Sequence, residues 1–282
     1  MPALIDIRRR IRSVKNTQQI TKALKMVSAA KLRRAQESMF AARPYARTMA
    51  QVLKDVAART EGEENHPLFR PTTKNGRVLL IVVTSDKGLC GAFNSSLLRV
   101  SQRFLQDNAQ REILADAVGR KGRDFLRRRT TVRKEYIGVF QALAFARAQE
   151  IAQSAMKAFL DREVEEVVLL FNEFKSVIQQ RIVTQRLLPL EALEEEKGTS
   201  EYLYEPNPRA IFDKLLPKVV ETTVWQALIE SNAAEHGARM AAMDSATRNA
   251  SQTIDSLTLY MNKVRQAAIT REIIEVVSGA AA

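Results

Sequence analysis

Cysteine occurs once, at Cys90, and histidine twice, at His66 and His236. One thiol excludes an intrachain disulfide and suits a reducing compartment. So few imidazoles leave little material for a multi-histidine or cysteine–histidine metal site, and neither histidine has the flanking pattern of a triad. Aromatic residues make up only 6% of the 282 residues, with ten glycines and eight prolines. A chain this poor in turn residues and aromatics favours long helices over an all-β fold. No apolar run approaches the roughly 20 residues of a membrane span. The N-terminus carries Asp6 and Arg8 and no apolar stretch, so it does not read as a signal peptide.

What is abundant is positive charge. Lysine and arginine number 44 against 32 acidic residues, a net charge of +12. A surplus of this size implies a polyanionic neighbour: nucleic acid, anionic lipid or an acidic protein surface. The charge is concentrated early. Arg8, Arg9, Arg10, Arg12, Lys15, Lys22, Lys25, Lys31, Arg33 and Arg34 fall between Ile7 and Gln36 with no acidic residue among them. A solvated helix usually mixes signs to gain i,i+4 pairs, so this one favours an acidic partner over plain solvent. Basic helices also enter nucleic-acid grooves, although this stretch lacks stacking aromatics.

Leu4 to about Thr60 reads as one helix without glycine. Its apolar stripe runs Leu4, Ile7, Ile11, Val14, then Ile20, Leu24 and Val27. Pro44 is expected to kink it or break it after Arg43. Residues 61–75, with Gly62, Pro67, Pro71 and Asn75, form a linker. The segment 76–190 then alternates strands and helices. The strand candidates are Val78–Thr84, Ile113–Val118, Thr131–Ile137, Val164–Phe171 and Gln179–Leu187. Helices are expected over Asn94–Gln106, Lys121–Arg129 and Gln141–Leu160. Alternation implies a mostly parallel sheet, and the last two strands are close enough only for an antiparallel hairpin. An acidic loop, 191–205, follows.

Asn207 and Pro208 make a good helix start, as N-cap and first helical residue. One helix can run from there to Ser278, with Gly279 as its stop. Met240, Met243, Thr247, Ala250, Ile254, Leu257, Met261, Val264 and Ala268 keep a three-four rhythm over four heptads, the mark of a coiled coil. The expected class is therefore α/β plus a long antiparallel coiled coil. Two terminal helices, 1–60 and 207–282, flank an inserted Rossmann-like α/β domain, 76–190, as a rod on a small globular foot.

The loop Thr84–Gly91 follows a strand and precedes a helix, where nucleotide loops sit. It is neither G-x-x-x-x-G-K-[ST] nor G-x-G-x-x-G, so a tight turn is the better reading, with no cofactor. Cys90, near Lys87, could be a reactive thiol but more often is a small packing residue. At the other end, Ile273, Ile274, Val276 and Val277 surround the last helical turns with apolar surface. On a long rod this implies an external socket.

Several segments resemble the γ subunits of F-type ATP synthases, in order along the whole chain. Ile269 to Ala280 follows I-T-x-E-x-x-E-x-x-x-G-A. Ile11 to Val27, Arg43-Pro44-Tyr45-Ala46, Ser85 to Gly91 and Tyr202 to Pro206 are similar to the family as well. The resemblance implies a central rotor stalk without an active site of its own. Its partners would be the α and β subunits of the catalytic ring, the ε subunit and the membrane c-ring, with no nucleic acid. Its place would be peripheral, on the cytoplasmic face of the bacterial membrane. The resemblance puts Lys22, Lys25 and Met26 near an acidic lever segment of β. It matches Arg265 and Gln266 to a pair that hydrogen-bonds a catch loop of β. Lys87, Cys90, Thr270, Glu272, Ile273 and Val276 join them as expected partner contacts. The regulatory cysteine pair of chloroplast relatives has no counterpart beside the lone Cys90.

Overall fold

The computed structural model describes residues 4–57, 66–70, 76–177, 179–190 and 207–280. The expected linker at 61–65 and 71–75, the acidic loop 191–205 and the Tyr202–Pro206 segment lie outside them. The elements are α1 (Leu4–Ala57), β1 (Val78–Val83), α2 (Phe93–Asp107), β2 (Ile113–Val118), α3 (Arg120–Leu126), β3 (Thr131–Tyr136), α4 (Phe145–Leu160), β4 (Glu166–Phe174), β5 (Gln180–Leu188) and α5 (Pro208–Ala280). Contacts divide the chain into two units, residues 1–29 with 239–282, and residues 30–238. The division cuts across both long helices.

The larger unit is built on a five-stranded sheet ordered β3-β2-β1-β4-β5. The first four strands in that order are parallel, and β5 returns antiparallel to β4 as a hairpin. Both faces of β1 are covered, which is why its sequence is a continuous apolar run. Val78, Leu80 and Val82 meet Leu97 of α2 and Leu126 of α3. Leu79, Ile81 and Val83 share a core with Ile151 and Phe159 of α4 and with Phe212, Leu216, Val220 and Val224 of α5. The first part of α5 thus belongs to the sheet's core. Asn207 caps it, its Oδ1 accepting from the Ala210 amide at 2.8 Å.

Glu221 pins α5 to α4. Its side chain is 3% exposed and accepts from Gln149 (3.1 Å), Gln153 (3.0 Å) and Lys218 (2.8 Å). Burial alone would raise its pKa and is the largest single influence, but the three donors together hold it below the ordinary 4.5. A depressed folded-state pKa gives stability that is present above the unfolded value and lost as pH falls through the folded one. Thermal midpoints of the full chain should therefore fall as pH drops below about 5, and Glu221→Gln should flatten that slope. An identical slope in the variant would remove Glu221 from the acid response.

The smaller unit is an antiparallel helix pair. Among its covered positions on α1, Ile7, Ile11, Val14, Gln18, Thr21, Lys25 and Ser28 keep a four-three spacing, with Leu4, Leu24 and Ala29 half-buried beside them. On α5 the predicted stripe from Met240 to Val264 is buried or half-buried throughout, with Ala268 exposed. The stripe expected on α1 is correct only to Val14 and at Leu24. Ile20 and Val27 are 60% and 53% exposed, because the heptad continues through Gln18, Thr21 and Ser28, where apolarity gives no signal. The seam is closed there by hydroxyls: Thr21 and Thr247 share a hydrogen bond of 2.8 Å. Each Thr also lies within bonding distance of a carbonyl of its own helix, Thr21 of Gln18 and Thr247 of Met243, and with one proton each the two hydroxyls make two of these three bonds at a time. Thr21→Val or Thr247→Val alone should thus cost at most about 1 kcal/mol, and the double change no more than either single. Denaturant unfolding of the four proteins checks this.

Of the kink or break expected at Pro44, the break does not occur, since α1 continues through it; α5 passes the expected stop at Gly279 to Ala280. No helix among the described residues is long and apolar enough to cross a membrane.

Candidate partner-contact surface

The outer face of α1 in the helix pair is basic and apolar at once. Arg8, Arg9, Arg10, Arg12, Lys15 and Lys22 are exposed. Ile20, Met26 and Val27 stand among them at 60%, 60% and 53% exposure. Three large apolar side chains left in water beside exposed cations mark a surface made for a partner.

Lys25 is placed differently. Its Nζ lies 2.6 Å from Asp244 Oδ1 on α5, whose Oδ2 is 3.2 Å from Arg248. The Lys25 ammonium beside it holds the Asp244 carboxyl below the ordinary aspartate value, with Arg248 adding to the effect. Lys25 is thus anchored at the seam's edge, still 44% exposed. Asp244 was not singled out from the sequence, although its i,i+4 spacing to Arg248 and its place next to Met243 on the stripe were legible signals.

Beyond Val264 every described residue of α5 is exposed, including Arg265, Gln266, Thr270, Glu272, Ile273 and Val276. In an antiparallel pair that matches Thr21 with Thr247, Leu4 falls opposite about residue 264. The last turns therefore have no partner helix among the described residues. They present Ile269, Ile273, Ile274, Val276 and Val277 at 47–71% exposure.

In the larger unit, the loop after β1 is stitched to itself. The Ser85 amide donates to Asn94 Oδ1 at 3.1 Å. Asp86 accepts from the Arg120 amide at 3.1 Å and the Gly138 amide at 3.0 Å. The Gly122 amide donates to Thr84 Oγ1 at 2.7 Å. These are the backbone donors that a phosphate at this end of a parallel sheet would need. Side chains of the loop and of α2 occupy them, which supports the reading of a tight turn. Gly119 makes the tight return from β2 to α3 possible. At φ +88°, a Cβ there would fall 2.2 Å from the Thr84 carbonyl oxygen.

Cys90 is turned into the loop, as the packing reading of it has it. Its side chain is 2% exposed and lies 3.2 Å from Asn94 Nδ2 and 3.9 Å from Ser85 Oγ. The loop presents Lys87 and Leu89 instead; Leu89 is 67% exposed with φ +62°. The predicted contacts fall in both units: Lys22, Lys25, Met26 and the 265–276 group in the smaller one, and Lys87 with Cys90 in the larger.

A family model described as ATP synthase matches residues 3–282. The ATP synthase γ chain of Solibacter usitatus is 52% identical over 286 residues, spanning 100% of this chain and 99% of that relative. That of Chlorobaculum parvum is 48% identical over 288 residues, spanning 99% and 98%. The chain belongs to the ATP synthase γ chain family. Among solved structures, a chain from the central stalk and c-ring of Tetrahymena thermophila mitochondrial ATP synthase is 28% identical. It superposes with a TM-score of 0.63 over 80% of this γ chain and 99% of that one. A chain from the OSCP/F1/c-ring assembly of Euglena gracilis mitochondrial ATP synthase gives 0.67 at 19% identity, over 98% and 92%, and speaks to the fold alone. The long paired helices and the parallel sheet are thus features this chain shares with γ chains.

Proposed function

We propose that this chain is the central rotor stalk of a bacterial F-type ATP synthase. It couples ion-driven rotation of a membrane ring to conformational cycling of catalytic β subunits, and it has no active site of its own. The exposed apolar–basic helix pair carries the reading. A stalk turning inside a ring must leave its contact faces uncovered by its own chain, as Ile20, Met26, Val27 and the 265–280 turns are. The basic face suits an acidic lever on β, reached by Lys22 and Met26, with Lys25 steadied by Asp244. Arg265 and Gln266 suit a hydrogen-bonding loop of β. Thr270, Glu272, Ile273 and Val276 suit an apolar sleeve. Lys87 and its loop suit the ε subunit or the c-ring, and membrane association follows indirectly, at the cytoplasmic face.

Buried Cys90 makes the test simple. Ser95 is exposed on α2, so Ser95→Cys supplies one addressable thiol for a bead. In complexes assembled with α and β subunits and fixed by the ring, ATP should drive stepwise, one-way rotation of that bead. ATP turnover in complexes whose bead stays still, with the label confirmed, would defeat the proposal.

A further inference from the structure

Threonines within these helices bond back to a carbonyl one turn earlier. Thr17 does so to Ser13, Thr223 to Val219, Thr253 to Asn249, Thr258 to Ile254 and Thr270 to Gln266. Thr222 on α5 does not. It is 7% exposed, and its Oγ1 has no hydrogen-bond partner among the described residues. A buried hydroxyl left this way is costly, although the Lys218 carbonyl one turn back is the usual remedy.

Thr222 lines a cavity of about 320 Å³ between α1, α4 and α5, wholly within the sheet unit. Met39 and Ile229, 2% and 1% exposed, form its depth. Phe145 and Trp225 meet edge to face at 5.9 Å along one wall, and Tyr45 stands at the mouth, 56% exposed. Among the described residues no lysine, arginine, aspartate or glutamate lines it. A charged guest would lose its hydration and find no counterion. The volume is that of small-ligand sites, which pair apolar walls with a few placed polar groups. Here the placed polar groups are the Gln226 amide and Thr222 Oγ1, a donor and acceptor with no hydrogen-bond partner among the described residues.

The geometry points to a binding site for a small, neutral aromatic molecule carrying one hydroxyl, which Thr222 hydrogen-bonds while the ring packs against Trp225 and Phe145.

Trp225 is the chain's only tryptophan, so its fluorescence reports on this cavity. Titrating the full chain with 4-bromophenol, whose bromine quenches on contact, should give saturable quenching. Thr222→Val keeps the shape and removes the hydroxyl. It should weaken 4-bromophenol roughly three- to tenfold and leave bromobenzene binding and the thermal midpoint unchanged or improved. Ala42→Phe, which fills the cavity, should abolish the saturable component. Linear collisional quenching, or equal 4-bromophenol affinity in the valine variant, overturns the proposal. The titration is repeated on complexes assembled with partner subunits, taking the difference between wild type and Trp225→Phe. A response lost on assembly would make the cavity a socket for a partner's side chain and overturn the small-molecule assignment.

Discussion

Arg265→Ala is expected to lower steady-state ATP turnover of the assembled complex by roughly tenfold while leaving subunit content unchanged. The figure follows from hydrogen bonds to charged groups, worth about 1.5–3 kcal/mol each. Arg265 and Gln266 are exposed and follow Val264, a half-buried position of the seam. Their side chains are thus spare for a contact outside the pair. Arginine supplies a planar fork of donors, and glutamine adds a donor and an acceptor. A rotor contact must form in one ring state and break in the next, so its value is a difference between states. Adding Gln266→Ala should cost less than the sum of the singles, since both would serve one contact. Arg265→Lys should rescue in part, keeping the charge and losing the fork. Normal turnover in the double variant would remove both residues from coupling. Failed assembly would make them structural instead.

Asp116→Ala is expected to be the most damaging single change within the sheet unit, costing about 3–5 kcal/mol out of a total that for most domains is about 5–15 kcal/mol. Asp116 is fully buried on β2 and grips Arg133 of β3 with two bonds, 3.0 Å from Nε and 2.5 Å from Nη2. Arg133 reaches on to Ser154 Oγ of α4 at 3.0 Å. Removing the carboxylate leaves a guanidinium, 14% exposed, without its main counterion. Burial is the largest influence on Asp116 and lifts its pKa above 3.8 even with Arg133 opposing. The same contact raises the Arg133 pKa against its own burial, so the two partners point in opposite directions; because burying an ion pair offsets much of its attraction, Asp116→Leu with Arg133→Leu should recover most of the lost stability. Chemical denaturation of the wild type and the two variants decides the matter. A double variant as unstable as Asp116→Ala would show that the pair is worth more than its burial costs.

Much of this was legible because the pattern and the burial agree. The run VLLIVV announced a strand covered on both faces, and β2 falls on the expected residues, Ile113–Val118. The close spacing of β4 and β5 fixed their antiparallel pairing. Asn207 caps α5 as its residue type suggests. The failures have physical reasons. Apolarity located the α1 seam only where the seam is apolar; through Gln18, Thr21 and Ser28 the four-three spacing was the better guide. Pro44 carries no break, and Gly279 no stop, since either residue can sit within a helix when its surroundings tolerate it. Gln141–Ala144 is absent from α4, whose helix begins at Phe145. Family resemblance singled out Cys90, but only the folded loop shows the thiol turned inward and Leu89 turned out. Thr222 gave no warning in the sequence, because an orphaned hydroxyl is a fact of packing.

The strand order also bears on how the chain is made. Its most apolar strand, β1, is flanked by β2 and β4, and Val78 pairs with both Ile113 and Glu166. The second of these neighbours lies 88 residues downstream. At translation rates of about 5–20 residues per second, it follows β1 from the ribosome by roughly 4–18 seconds. The part of α5 that covers the α4 side of β1 comes later still. Meanwhile one edge of a strand without a single polar side chain stays open, the condition under which nascent chains aggregate. Once the sheet is complete the hazard is gone. Its outer strands are then β3, with Lys134 and Glu135, and β5, with Arg181 and Arg186, and charged edges discourage further pairing. The vulnerable period of this subunit is its synthesis, and a holding chaperone is most useful between the emergence of β1 and that of β4.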